Sequence, residues 1–293
     1  MRNERIVVFN NRVFYDFPRW DKTENADALR SDMTSVKVIP TEFESEGATI
    51  RGHLVVPDGK GPFHGVCKFH GLPGGPDQTS GIATRLAEAD FAVLTFDFRG
   101  FRSSEGVFSL SNQIKDARVA ISHLLESEMT DESWVGVYGA SFGGAVAVCA
   151  AASDSRIDAV CLRAPVYDTA WFVRRPMVGT VMEEIAAIDP AQVRGIEDPV
   201  MRERMIEEML ADALMYNPMK DISKVSPRPL LIVHGTDDVG IDLAGVKHLF
   251  EQAHDPKDLV VVEGADHRLS DPRIRRITQD TIVNWFKALV VPR

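Results

Sequence analysis

Cysteine is scarce: three in 293 residues, Cys67, Cys149 and Cys161, each inside an apolar run. Three scattered thiols cannot build a disulfide framework, so buried free cysteines in a reducing, cytoplasmic setting are expected. Long hydrophobic runs are also missing. The first apolar stretch, Ile6 to Phe9, is flanked by Arg5 and Asn10. It is too short for a signal peptide, and no window reaches the roughly 20 apolar residues of a membrane span. Positive charge is in deficit, with 33 Lys and Arg against 43 Asp and Glu and a formal charge of −10. That balance excludes a phosphate-backbone surface, and no nucleic-acid partner is expected. There is no H-E-x-x-H, no paired C-x-x-C and no Walker A loop. The glycine run at Gly71–Gly75 is interrupted by Pro73 and lacks dinucleotide-fingerprint spacing. Neither a metal nor an organic cofactor is implied.

What is present is ordinary globular composition, 44% apolar and 26% charged, enough to bury one large core. Short β-branched runs alternate with helical windows, which predicts an α/β fold with a mostly parallel sheet. Residues 35–44 and 49–56 alternate in twos around Glu46–Gly47 and predict a hairpin. Six further strands are expected at 65–70, 91–96, 134–138, 157–163, 229–234 and 259–263, making eight. Helices are expected at 79–89, 112–127, 142–152, 242–253 and 274–289. About 65 residues between Arg163 and Pro229 carry no strand signal. An interval this long implies an inserted subdomain, with Pro176, Pro190, Pro199 and Pro218 as helix boundaries. The division is an N-terminal arm at 1–35, a core at 36–165 and 220–293, and a helical cap at 166–219 inserted after strand six. Met201, Met205 and Met209 share one helical face, which reads first as the inner face of the cap. The arm carries Phe9, Phe14, Tyr15, Phe17 and Trp20. It packs either on the body or on a second copy, which leaves a homodimer open.

The strongest chemical signal is Gly139-Ala140-Ser141-Phe142-Gly143-Gly144, between the strand WVGVY and the helical run AVAVCAAA. A strand–turn–helix elbow of this kind exposes a serine nucleophile and needs glycine where side chains would strike backbone. The helix N-terminus beneath it favours a developing oxyanion. A serine hydroxyl needs a base, and the base needs an orienting acid. Of eight histidines, only His267 follows the last strand, in Glu263-Gly264-Ala265-Asp266-His267; it is the expected base. His70 and His234 end strands and are expected to shape loops. The acid is Asp237 or Asp238, both in the loop after strand seven; Asp242 reads as the N-cap of the next helix.

In order, KFHGLPGG, DFRGFRSSEG, GASFGG, HGTDD and GADH resemble the signature elements of the α/β-hydrolase fold family, with Ser, Asp and His in that family's chain order. The resemblance covers most of the chain from about residue 36. It implies a serine hydrolase. Its HG-x-x-D spacing selects Asp238 over Asp237, and it places the oxyanion hole at the backbone N–H groups of Leu72 and Phe142. Two departures stand out. Arg102 occupies the place of a glycine in D-x-R-G-x-G, and Val239-Gly240-Ile241 replaces the usual Val-Pro. Asp97 and Arg99 are expected to pair and tie their loop down. The absence of an HGGG stretch argues against the hormone-sensitive-lipase branch, and the hairpin start and the position of the insertion are more similar to the cinnamoyl-esterase and serine-aminopeptidase-like branches.

The expected activity is therefore that of a carboxylesterase on short- to medium-chain or aryl, feruloyl-like esters, through Ser141, His267 and Asp238. Peptidase, thioesterase or acyltransferase action on the same triad is the alternative, and a non-catalytic binding protein is the remote one. Trp171, Phe172, Met205 and Met209 are the candidate pocket residues.

Overall fold

A computed structural model describes residues 4–7, 35–74 and 81–290. Its strands are β1 (Glu4–Val7), β2 (Val36–Ser45), β3 (Ala48–Pro57), β4 (Phe63–Phe69), β5 (Phe91–Phe96), β6 (Thr130–Ala140), β7 (Ala159–Arg163), β8 (Leu230–Gly235) and β9 (Lys257–Val262). They form one sheet in the order β1-β9-β8-β7-β6-β4-β5-β3-β2. All eight expected strands are present. A ninth, β1, lies in the segment read as an arm and pairs in parallel with β9 from Glu4↔Leu259 to Val7↔Val262. Four residues carry too little alternation to be legible, and β9 supplies the pairing edge that makes them a strand. The aromatic residues of the arm, Phe9 to Trp20, lie outside the described residues.

The β2–β3 hairpin turns at Glu46 (φ 48°) and Gly47 (φ 81°), both left-handed as a type I′ turn requires. It joins the rest through antiparallel pairing of β3 with β5, and β4 to β9 run parallel. β5, β7 and β8 are buried along their whole length, as continuous apolar runs covered on both faces must be. On one face pack α2 (Leu110–Leu125), α3 (Phe142–Ser153) and α8 (Leu243–Gln252); on the other pack α1 (Ile82–Ala87) and α9 (Pro272–Val290). Among the described residues no helix is long and apolar enough to cross a membrane.

Chain order reverses around β4: β5 lies on one side of it and β6 on the other. Such a switch point opens a crevice at the carboxyl ends of the two strands. The loop after β4 and the turn after β6 therefore meet there.

Between β7 and β8 the chain is helical: α4 (Thr169–Val173), α5 (Pro176–Ile188), α6 (Pro199–Asp212), α7 (Pro218–Asp221) and two short 3-10 turns, Pro190–Gln192 and Ile222–Val225. Pro176, Pro190, Pro199 and Pro218 each open an element, where a missing N–H costs nothing. Met205 and Met209 are buried on the inner face of α6. The segment is tied to the body on two flanks. The Arg194 N–H donates to Gly100 O at 2.8 Å beside a Phe101↔Val193 bridge, and Arg175 Nη1 donates to Gly240 O at 2.5 Å.

The expected Asp97–Arg99 pair is not formed. Arg99 turns to α2, where its Nε and Nη2 reach Asp116 Oδ1 at 2.9 and 2.6 Å and its N–H reaches Oδ2 at 3.0 Å. Asp97 pairs with Arg102 at 3.2 Å instead. Neighbours in sequence do not share a partner when one backbone is drawn onto a buried carboxylate. Asp116 is fully buried, so Asp116→Ala strands the Arg99 cation. Thermal or denaturant unfolding is expected to show a loss of about 3–5 kcal/mol.

Candidate active site

The turn after β6 holds Ser141 at φ 55°, ψ −120°, a region that a residue with a Cβ rarely occupies. Backbone bonds lock it there: Ser141 N–H to Arg163 O at 3.0 Å, and Ser141 O accepting from Gly144 N–H at 2.9 Å and Val166 N–H at 3.0 Å. A Cβ on Gly139 would lie 2.3 Å from Gly143 O, and one on Gly143 2.4 Å from both Phe69 O and His70 O. The spelling G-x-S-x-G is thus a steric demand of strand–helix packing. Relieving the strain by Ser141→Gly is expected to stabilise the fold by about 1 kcal/mol, a rise of roughly 2 °C in Tm on a thermal scan.

Three side chains from three strand ends converge. His267 Nε2 lies 3.0 Å from Ser141 Oγ, and its Nδ1 lies 2.7 Å from Asp238 Oδ2. The other oxygen, Asp238 Oδ1, accepts the N–H groups of Gly240 and Ile241, each at 2.9 Å. Asp237 points to solvent and accepts from Thr236 Oγ1 at 2.8 Å. The Asp238 side chain is 1% exposed and that of His267 30%. Burial pushes the Asp238 carboxyl up, but the hydrogen bond and charge of His267 and the Ile241 N–H outweigh it, so it stays below the usual range and ionised. Asp242 caps α8 by accepting from Gly245 N–H at 2.7 Å, as its position in sequence suggested.

The loop after β4 passes directly over the serine: a Cβ on Gly71 would lie 3.1 Å from Ser141 Cβ. Leu72 follows, and its amide, like that of Phe142, bonds to no other described group. His70 braces this loop. Its Nδ1 meets Gly71 O at 2.8 Å, its Nε2 accepts the Phe98 N–H at 3.1 Å, and Phe98 and Phe101 pack its ring. Burial pushes it down to about 3, so it is neutral and serves as a spacer. His234 plays the matching part below the acid loop, with Nε2 donating to Ile241 O at 3.0 Å.

Arg102 was legible only as a departure from a glycine pattern, and the structure shows its use. It sits at φ 40° and bonds to Gly74 O, to Asp97 Oδ1 at 3.2 Å and to Gln192 Oε1 at 3.3 Å. It thereby joins the loop over the serine to the helical insertion. Against its pull, burial still raises the Asp97 carboxyl.

Of the candidate pocket residues, Phe172 is buried against Phe142, ring centroids 5.7 Å apart. Trp171 is partly exposed, stacks on Tyr167 at 4.4 Å and lies under the Arg175 guanidinium at 4.6 Å. Met205 and Met209 are enclosed in packing. The cysteines are buried, and burial holds each thiol protonated, so none is a nucleophile.

Residues 62–271 match the family described as serine aminopeptidase S33 hydrolases. Curated relatives include YfhR of Escherichia coli O157:H7, 24% identical, covering 86% of this chain and 81% of that protein. The polyketide transferase GrgF of a Penicillium species is 23% identical over 76% of this chain and 86% of its own. Among solved structures, PA2218 of Pseudomonas aeruginosa superposes with a TM-score of 0.69 at 21% identity, over 95% of this chain and 99% of that one. The Pyrococcus furiosus esterase PF2001 gives 0.66 at 17% identity, over 92% and 96%. The match extends from the start of β4 through the loop that carries His267 and so takes in every strand end on which the site is built: the chain belongs to the serine aminopeptidase S33 family and is an α/β hydrolase.

Proposed function

We propose that the protein is a serine carboxylesterase acting on short- to medium-chain or aryl, feruloyl-like esters. The observation that carries this reading is the unbroken Ser141–His267–Asp238 relay, at 3.0 and 2.7 Å. Ser141 Oγ attacks the ester carbonyl as His267 Nε2 takes its proton, and the N–H groups of Leu72 and Phe142 receive the oxyanion. His267 returns the proton to the leaving alcohol, which leaves an acyl group on Ser141. Water, deprotonated by His267, then releases the acid. Asp238 holds the proton on Nδ1 so that Nε2 is free to accept. Support for small or aromatic acyl groups comes from the aromatic wall of Trp171, Tyr167 and Phe172 close to the elbow and from the esterase PF2001 among the structural neighbours.

A fluorophosphonate probe is expected to label Ser141 in the intact protein and not in His267→Ala. Absent labelling of the intact protein would favour a binding protein on the same fold. p-Nitrophenyl acetate and butyrate and methyl ferulate are expected to turn over faster than aminoacyl-amide or acyl-CoA substrates; the reverse order would move the assignment to a peptidase or thioesterase. The likeness to a polyketide transferase favours one second reading, transfer of the acyl group to an alcohol or amine. Partition of a single ester between hydrolysis and aminolysis at fixed acceptor concentration separates the two.

A further inference from the structure

Arg163 is the last residue of β7, between β6 with its nucleophile elbow and β8 with its acid loop. It is 7% exposed, and among the described residues no carboxylate lies within 4.0 Å of its guanidinium. Its Nε has no hydrogen-bond partner. It lines a cavity of about 10 Å³ together with His234, whose Nδ1 is likewise unpartnered, and Thr278. Asp266 lines the same cavity but forms no ion pair with Arg163; a buried cation held by no ion pair works against stability, so its presence here calls for another reason.

Two contacts supply one. The backbone oxygen of Arg163 accepts the Ser141 N–H at 3.0 Å, and its Nη1 donates to the His267 carbonyl at 2.5 Å. The His267 loop is held on either side by its own bonds: Gly264 N–H to Thr236 Oγ1 at 2.8 Å, Asp237 N–H to Ala265 O at 3.1 Å, and Asp266 Oδ1 accepting from Arg268 and Ser270 at 3.1 and 2.9 Å. The backbone oxygen of His267 accepts from Arg163 and from no other described group. One residue thus grips both halves of the proton-transfer pair, which stand 126 residues apart in the chain.

We infer that Arg163 is a positioning residue that sets the distance between His267 Nε2 and Ser141 Oγ through the His267 backbone. This rests on the serine-hydrolase reading above. Without the guanidinium the His267 carbonyl loses its anchor, and an error of about 1 Å in such a pair costs on the order of 100-fold in rate. Substrate binding is expected to change little, because the guanidinium bonds to the His267 backbone and not to its imidazole.

The test is Arg163→Met, with Arg163→Lys as the variant that keeps a cationic donor, both measured with p-nitrophenyl butyrate and by thermal melting. Arg163→Met is expected to lower kcat about 10- to 100-fold with KM within about twofold, and to melt at or above the wild-type temperature, because it removes an unpaired buried cation. Arg163→Lys is expected to recover most of the lost kcat. The downfield imidazole proton shared by His267 and Asp238, read by NMR, is expected to weaken in Arg163→Met and to persist in Arg163→Lys. A purely structural role predicts a lowered Tm in both variants with no selective loss of kcat. That outcome, or Arg163→Met turning over at the wild-type rate, overturns the inference while leaving fluorophosphonate labelling of the wild type intact. Loss of that labelling in the wild type overturns the hydrolase reading itself and the inference with it.

Discussion

Ser141→Ala is expected to lower kcat for an activated ester by about 10⁶-fold, to a residual rate set by the oxyanion donors and substrate binding alone. The loss falls on kcat because the hydroxyl forms its bond only in the transition state; KM reports contacts that the substitution leaves in place. Alanine keeps the Cβ and with it the left-handed strain at φ 55°, so Tm is expected to match the wild type within a degree or two. Fluorophosphonate labelling is expected to vanish. Stopped-flow acylation with p-nitrophenyl acetate checks the prediction, and residual turnover above about 1% of wild type would assign the chemistry to another group.

The second large effect distinguishes two adjacent carboxylates. Asp238→Asn is expected to lower kcat by about 10⁴-fold, whereas Asp237→Asn leaves it within about twofold. The geometry gives the reason. The Gly240 and Ile241 amides both point at Oδ1 of residue 238. An asparagine there turns its carbonyl oxygen toward those donors and its NH₂ toward His267 Nδ1. Nδ1 must then accept, so the ring proton moves to Nε2, the nitrogen that has to receive the proton of Ser141. Asp237 faces solvent and contacts neither partner. Equal losses in the two variants would remove the distinction.

Asp238 also leaves a thermodynamic mark. Its carboxyl is held below its ordinary range in the fold. Its ionised contacts therefore add stability above the unfolded value of about 3.9, and that stability is lost as the pH falls through the folded value. Asp238→Asn is expected to flatten the acid limb of the stability profile measured by urea unfolding between pH 3 and 7.

Ser141, His267 and the cap prolines were readable because each obeys a local rule: a steric turn, a position after a strand, a helix start. Asp238 needed more than its neighbourhood, since Asp237 has the same chemistry one residue earlier; the HG-x-x-D spacing of the resemblance chose between them, and the folded loop brings Asp238 to His267 while Asp237 faces solvent. The Arg99–Asp116 and Asp97–Arg102 pairs were misread because both depend on how the loop after β5 folds back on α2 and on the insertion, an arrangement with no periodic trace. Arg163 was hidden for another reason. Its signal in sequence is an arginine closing the buried run AVCLR, and nothing local says that its far end reaches a histidine loop from β9. Met205 and Met209 illustrate the opposite case, where helical spacing reported packing faithfully but carried no information on what the packed face encloses.

β7 and β8 are hydrogen-bonded neighbours, with Val160 opposite Leu230 and Arg163 opposite Val233, although the whole helical insertion lies between them in the chain. The insertion is thus a closed excursion whose ends the sheet has already brought together. Closing such an excursion depends only logarithmically on its length, about 0.6 kcal/mol for each doubling. The strand register under the triad is therefore almost indifferent to how much chain is threaded above it. Segments of different size and composition can occupy this slot while the strand ends that carry Ser141, Asp238 and His267 keep their places. The same topology makes the β7–β8 ladder a non-local pairing that forms only as the excursion closes.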